Sequence, residues 1–186
     1  MKSTLHVFFT QGFLLPVLLA FSIETVEAIP LGSWDNKING PNRFMVLGEF
    51  NGEAVLDRET GLVWERDPTA VGSSGQQDSG VDSWSIATFK CIRKAVGNRK
   101  GWRLPAVHEL ASLVDVTVSR DSVRLPSGHP FQNIGLDFYW TATTHAEDTN
   151  RAWVVRFLGG GVVTEDKPMA HPFWCVRGGL AGLDAY

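Results

Sequence analysis

The residues whose type and spacing most clearly permit chemistry are the only two cysteines of the chain, Cys91 and Cys175. Cys91 lies in a helical pattern with Trp84 and Ala87, and Cys175 lies in the last apolar run, at 172–177. A disulfide between them would tie the first helix to the final strand and close most of the domain into one loop. Two separate buried thiols are the alternative. Neither state favours a thiolate, so we expect no cysteine nucleophile.

The histidines and serines offer little for catalysis. The four histidines after the leader, at positions 108, 129, 145 and 171, lack the HxH or HExxH spacing of metal sites. His108 beside Glu109 is typical of a helix surface, whereas His129 before Pro130 lies in a long loop and has the better claim on a ligand surface. No serine stands in a Gly-x-Ser-x-Gly setting. We therefore expect no catalytic residues and a protein that is not an enzyme.

Oxygen ligands for calcium are the remaining inorganic possibility. Calcium takes six to eight hard oxygen ligands, usually from carboxylates and carbonyls in loops. Five residues could contribute them: Asp121, Asp137, Glu147, Asp148 and Asn150. Such loop acids are more often solvated turn residues. We therefore expect no cofactor, with calcium kept as the alternative.

The amino-terminal residues resemble a secretion signal. Lys2 precedes an apolar stretch at 7–21, and the small residues of 26–28 predict cleavage after Ala28. An uncleaved anchor is the alternative. We expect an exported protein, periplasmic or secreted, with no stable membrane span once residues 1–28 are removed. Export would also permit a disulfide.

Composition limits the partners of the remaining chain. The full chain has 20 acidic residues against 17 basic ones and no basic run or stripe, so it has no footprint for nucleic acid. Residues 29–42 are rich in glycine, proline and asparagine and predict an irregular lead-in. A single domain is expected at 43–179, followed by a short tail at 180–186.

Hydrophobic periodicity predicts the elements of that domain. Asn51-Gly52 between apolar runs indicates a hairpin. The first helix has a predicted buried stripe at Trp84, Ala87, Thr88, Cys91 and Ala95. Pro105 opens a second helix with an apolar face in 107–114.

The second half of the domain is predicted to be irregular and then β-rich. Residues 115–137 form a long loop, and β-like runs follow at 138–144, 152–158, 162–164 and 173–177. Strands grouped after helices are typical of α+β folds.

Six segments in this order carry a family resemblance. They are Leu56–Trp64 (LDRETGLVW), Trp84–Cys91 (WSIATFKC), Gly101–Pro105 (GWRLP) with Glu109-Leu110, Tyr139–Thr144 (YWTATT), Ala152–Phe157 (AWVVRF) and Cys175–Arg177 (CVR). The chain resembles the Lcl C-terminal domain family of bacteria over about residues 54–179. The resemblance implies a C-type-lectin-like fold with two helices, a long loop region and antiparallel strands. In such folds a disulfide joins the first helix to the last strand, where Cys91 and Cys175 fall.

The resemblance also raises expectations for single residues. Relatives place threonine where this chain has Ala106, so the helix start should lack the hydroxyl of a capping box with Glu109. Five tryptophans fit core positions: Trp84, Trp102, Trp140, Trp153 and Trp174. Trp34 and Trp64 are less constrained, and an exposed one would be able to stack on a sugar ring.

These patterns favour an exported, non-enzymatic recognition domain for a glycan or a protein ligand at the cell surface. The predicted binding face is the loop 115–137 with the turn 145–151, and its candidate ligand-binding residues are Arg120, Arg124, His129 and Arg151. Some relatives are implicated in binding sulfated polysaccharides, although the acidic balance of this chain argues against a strong polyanion site.

Two other functions stay open. An enzyme related to the formylglycine-generating oxidases would need a redox-active cysteine pair. A structural module of an envelope assembly would carry an exposed apolar patch instead of a polar groove.

Overall fold

The computed structural model describes residue 38, residues 42–69 and residues 80–178. The predicted signal at 1–28, most of the lead-in, the tail at 180–186 and Trp34 lie outside the described residues. No helix in the described ranges has the length and apolarity that crossing a membrane would require.

The described residues form an α+β fold in which every strand pairing is antiparallel. The elements in chain order are β1 (Phe44–Leu47), β2 (Ala54–Asp57), β3 (Leu62–Glu65), β4 (Val81–Asp82), α1 (Trp84–Arg93), α2 (Val107–Ala111), β5 (Phe138–Thr144), β6 (Arg151–Arg156), β7 (Val162–Asp166), β8 (His171–Pro172) and β9 (Val176–Arg177). A four-stranded sheet has the order β1-β2-β3-β9, a three-stranded sheet has the order β5-β6-β7, and β4 pairs with β8. The predicted α+β class and the two helices are confirmed.

The Asn-Gly hairpin forms as predicted, with a short 3₁₀ turn at Gly48–Phe50 before it. Asn51 and Gly52 both have positive φ, at 55° and 75°. Asparagine and glycine adopt positive φ most readily, and here they close the six-residue connection between β1 and β2. The turn sets the register in which Leu47 of β1 faces Ala54 of β2.

The disulfide between Cys91 and Cys175 is present and links the last turn of α1 to the segment just before β9. It lies in a buried cluster with Trp102, Trp140 and Phe173. A second buried cluster packs Trp64 and Trp174 against α2 and against aromatic residues of β5 and the long loop. The two clusters place the core between the sheets and the helices.

The tryptophan expectations are confirmed only in part. Trp102, Trp140 and Trp174 are buried, but Trp84 and Trp153 are only half-buried. Trp64, expected to be less constrained, is fully buried. The reason is tertiary: β3 lies between β2 and β9, and the Trp64 ring packs on Trp174 with centroids 5.3 Å apart.

The second helix is shorter than the apolar pattern suggested, and α2 ends at Ala111. Alanine has only a methyl group, so the Ala106 side chain cannot accept a hydrogen bond from the helix, as expected. Glu109 still makes its half of the cap by accepting the Ala106 N–H at 2.7 Å. Thr143 of β5 accepts the Val107 N–H at 3.0 Å, so a neighbouring strand supplies one of the missing acceptors.

The family-like segments build the frame of the fold. In LDRETGLVW, the fully buried Asp57 receives two hydrogen bonds from Arg43 and one from the Thr60 hydroxyl. In GWRLP, Arg103 forms a bidentate pair with Glu109 and donates to the Gly178 carbonyl. These charged side chains stabilise the fold, because they form ion pairs and hydrogen bonds with partners within the protein.

The predicted strand at 173–177 is interrupted. Phe173, Trp174 and Cys175 lie between β8 and β9 and are all buried. The backbone of Cys175 bonds to Glu65 twice, donating to its carboxylate and accepting from its N–H. These bonds replace a regular ladder at this position.

Candidate functional site

A polar concavity of about 340 Å³ is the strongest candidate site in the described structure. It lies where the β1–β2 turn, the end of β3, the end of α1 and the long loop meet. Its lining residues are Asn51, Gly52, Glu53, Glu65, Arg66, Asp67, Lys94, Ala95, Val96 and Gln132. Its size is within the range of small-ligand sites.

One wall of the polar concavity is the hairpin turn, which is fastened to the end of α1. The Gly97 N–H donates to Glu53 Oε2 at 2.7 Å. Gly97 has a φ of +56°, and a Cβ there would lie 2.4 Å from the Phe50 Cα. Only glycine permits this close approach. Gly97 can therefore lie against the hairpin turn and hold the Glu53 carboxylate with its N–H.

The base of the polar concavity contains a buried ion pair. Lys94 Nζ lies 2.5 Å from Glu65 Oε1, and the two side chains are 7% and 1% exposed. Glu65 Oε2 accepts the Cys175 N–H at 2.7 Å, which joins the pair to the disulfide segment. The ion pair therefore forms a rigid base of the polar concavity, since each charge is paired with a partner in a fixed position.

Arg66 connects the hairpin to the long loop. Its Nη1 donates to the Gly52 carbonyl at 3.3 Å, and its Nε donates to the Pro130 carbonyl at 3.2 Å. The Arg66 carbonyl in turn accepts the Gln132 N–H at 2.8 Å. These bonds position the exposed Gln132 side chain at the rim of the polar concavity.

Asp67 completes the wall beside the long loop. Its Oδ2 accepts a hydrogen bond from the Asn133 side chain at 2.7 Å. The concavity thus offers carboxylate acceptors, an amide and a guanidinium, all on braced backbone. Such a wall suits a ligand with several hydroxyl groups, each of which can donate and accept.

The predicted arginine patch is not brought together. Arg124 is buried and donates to the Gly159 carbonyl at 3.1 Å, beyond the end of β6. Arg151 begins β6, where it donates to the Thr164 carbonyl and pairs with Asp166 at 3.3 Å. A strand of this length spans roughly 17 Å, so the two guanidiniums lie at opposite ends of it. Arg120 is exposed in the long loop.

His129 lies in the long loop and is half-buried, with its ring stacked on Phe131 at 5.8 Å between centroids. Burial lowers the pKa of the His129 imidazole, because the charged form is the less well solvated one. A lowered pKa favours a neutral ring near pH 7. The neighbouring Pro130 carbonyl is held by Arg66 of the polar concavity.

The calcium candidates are spread over separate loops. Asp121 is exposed, Asp137 accepts the Phe138 N–H, and Asp148 accepts the Asn150 N–H. Glu147 is exposed in the same turn as Asp148. The described part of the chain holds no group of three or more histidine, cysteine or acidic residues placed to bind a metal ion.

A comparison with protein families matches residues 53–177 to the Lcl C-terminal domain. The chain belongs to the Lcl C-terminal domain family. The matched range of this Lcl C-terminal domain runs from Glu53 at the polar concavity to Arg177 of β9 and includes both cysteines. A comparison with curated proteins finds no match.

Sequence reasoning missed most of the polar concavity of this Lcl C-terminal domain. Glu53, Arg66 and Lys94 gave no local motif, because each lies at the end of a different element. The signals that were present were the Asn51-Gly52 turn and the charged run Glu65–Asp67 after an apolar strand. Only the β2–β3 register brings these two features side by side.

Proposed function

We propose that this Lcl C-terminal domain is an exported, non-enzymatic recognition domain that binds a hydroxyl-rich glycan in the polar concavity. The observation that carries the proposal is the braced, mixed polar lining of that concavity. Gln132, which lies in the long loop expected to bind ligand, contributes its rim.

We also propose a C-type-lectin-like fold for the domain. The disulfide from α1 to the segment before β9 supports it, as do two helices followed by a long loop and a β-meander. Residues 112–137 contain no helix or strand, yet several backbone hydrogen bonds fasten them, such as Arg124 N–H to the Phe157 carbonyl at 3.0 Å. A fastened loop on a rigid scaffold is a common way to present a binding surface.

Two features of the cysteines support the exported and non-enzymatic parts of the proposal. Both cysteines of the chain are joined to each other, so neither offers a free thiol for chemistry of the formylglycine-generating kind. A structural disulfide also suits an oxidising compartment outside the cytosol.

The charges of the lining favour a neutral glycan over a sulfated one. Three carboxylates, Glu53, Glu65 and Asp67, face two cations, Arg66 and Lys94. Since Lys94 is already paired with Glu65, the remaining lining is not positive enough to attract a polyanion. Carboxylates and amides bind sugar hydroxyls by hydrogen bonds, and calcium is not needed for this mode.

A glycan array tests the proposal. Purified protein is applied to neutral and sulfated glycans, with and without a calcium chelator. We expect binding to one or more neutral glycans that the chelator does not abolish. Binding to no glycan at all would contradict the proposal, and binding lost on chelation would instead assign calcium to the site.

One observation favours a structural module as a second candidate function. Ile86, Phe89 and Ile92 form an apolar stripe on α1 and are 46%, 57% and 61% exposed. An exposed stripe of this kind marks surfaces that pack against another macromolecule. Replacing Phe89 by Asp should dissociate any assembly that depends on the stripe. Size-exclusion chromatography would detect the dissociation.

A further inference from the structure

The outer face of the four-stranded sheet carries a second concavity, which we call the apolar groove. Register places Met45, Leu56, Val63 and Arg177 directly opposite one another on β1, β2, β3 and β9. Residues opposite one another share a face of a sheet, so these four form one row across it. The groove has a volume of about 490 Å³, and Leu47 and Phe50 also line it. It shares no lining residue with the polar concavity.

Arginines surround this apolar row. The guanidiniums of Arg99 and Arg177 lie 5.0 Å and 5.8 Å from the Phe50 ring centroid. Arg58 reaches the far end of the row, where its Nη2 lies 3.1 Å from Met45 Sδ. None of the three forms an ion pair with a carboxylate of the described residues. Only Glu49 contributes an acidic side chain to the lining.

We propose that the apolar groove docks an extended segment of a partner protein that carries leucine-like side chains next to an acidic residue. The apolar side chains would cover Met45, Leu56 and Val63. The carboxylate would pair with Arg99 and Arg177, which are held over an aromatic ring and so lose little freedom on binding. This surface is separate from the glycan site and does not depend on it.

Charge and polarity together select this occupant. An acidic, apolar segment matches both halves of the groove, whereas a sulfated polysaccharide would leave the apolar row without a partner. A second copy of this chain would have to bring a complementary acidic, apolar surface of its own. Unpaired guanidiniums at the edge of an interface mainly raise the association rate and the specificity for an acidic partner.

The test uses an array of short peptides that hold leucines and aspartates at every spacing in a glycine-serine background. A matched array carries lysine in place of aspartate. We expect the parent protein to bind members of the aspartate array and not their lysine counterparts. Affinity for the selected peptides should fall by roughly tenfold in Arg99→Glu and in Met45→Glu, the loss expected for removing a charge pair or an apolar contact.

Matched variants separate docking from folding. Arg93→Glu reverses an exposed arginine outside the groove and should leave peptide affinity unchanged. Arg99→Lys keeps the charge and should retain most of the binding. Each variant is checked by thermal melting, and Met45→Glu provides a second test because Met45 is 36% exposed.

Several results would overturn the proposal. These are equal binding of lysine and aspartate peptides, no binding from either array, or affinity that Arg99→Glu and Met45→Glu leave intact. Binding of heparin but of no peptide, lost in Arg99→Glu, would show a polyanion site. A concentration-dependent dimer abolished by Met45→Glu would show that a second copy occupies the groove. Glycan binding should persist in all these variants. Failure of the peptide-docking proposal is therefore distinguishable from failure of the glycan proposal.

Discussion

Lys94 and Glu65 form an ion pair that is almost completely shielded from water. The pair contacts the disulfide through Glu65, which is hydrogen-bonded to the backbone of Cys175. Glu65 accepts hydrogen bonds from both the Lys94 ammonium and the Cys175 N–H, and its own carbonyl accepts the Trp174 indole N–H at 2.9 Å. The pair therefore joins α1, β3 and the segment before β9 at the base of the polar concavity. The floor of the proposed glycan site and the core of the fold depend on the same contact.

Breaking this pair should be costly. Lys94→Met leaves Glu65 buried without a countercharge, and removing one member of a buried pair destabilises a protein by about 3–5 kcal/mol. Chemical denaturation measures the change. The control is Lys100→Met, because Lys100 is exposed. Equal denaturation midpoints for the two variants would show that the buried pair does not stabilise the fold.

The disulfide should be a comparably large contributor. It closes a loop over a separation of 84 residues, and chain entropy assigns such a crosslink about 4–5 kcal/mol. Denaturation of the parent with and without reductant measures this, and the double variant Cys91→Ala/Cys175→Ala should show no response to reductant. Two free thiols in unreduced, denatured protein would contradict the assignment.

Features encoded by neighbouring residues were predictable from the sequence. The Asn51-Gly52 hairpin, the α1 stripe that buries Ala87 and Cys91, and the α+β order each follow from local turn chemistry or periodicity. The disulfide was predictable because Cys91 and Cys175 are the only cysteines and the family resemblance places them together.

Features decided by tertiary contacts were not predictable. Trp64 is buried because β9 returns to pair beside it, and Arg124 is buried because its guanidinium reaches the Gly159 carbonyl. The polar concavity forms where the β1–β2 turn, the end of β3, the end of α1 and the long loop come together. None of these four segments carries a recognisable site motif. Loop position alone suggested that Arg124 would face solvent, but charge does not exclude an arginine from the interior when a carbonyl accepts its hydrogen bond.

Two tryptophans that looked alike in the sequence should respond differently to truncation. Trp102 is 2% exposed and its indole N–H donates to the Arg99 carbonyl at 2.8 Å, so Trp102→Ala should cost about 3–5 kcal/mol. Trp153 is only half-buried, so Trp153→Ala should cost clearly less. Unfolding free energies of the two variants decide this, and a larger loss at Trp153 would contradict the packing described.

The pH dependence of stability should include a contribution from Glu109. Burial alone would raise the pKa of this carboxyl, but the hydrogen bonds from Arg103 and the Ala106 N–H, with the Arg103 charge, outweigh it and lower the pKa. A folded pKa below the unfolded value of about 4.3 means that the stabilisation is complete above that value. It is lost as the pH falls through the lower, folded pKa.

Glu109→Gln should remove this dependence. The variant should lose less stability than the parent between about pH 5 and pH 3, because it has no carboxylate to protonate at this site. Thermal melting across this range measures the difference. Identical slopes for parent and variant would show that the pKa of Glu109 does not change on folding.

The most direct test of the central claim, glycan binding in the polar concavity, is calorimetric titration of an array-selected glycan into Gln132→Ala. The Gln132 side chain is exposed at the rim, so its removal should leave the melting temperature nearly unchanged. Losing a ligand hydrogen bond of about 1–1.5 kcal/mol should weaken binding by roughly tenfold. Asn150→Ala, in the exposed turn 145–151, should bind like the parent. Unchanged affinity in Gln132→Ala together with weakened binding in Asn150→Ala would contradict the account and place the ligand at that turn.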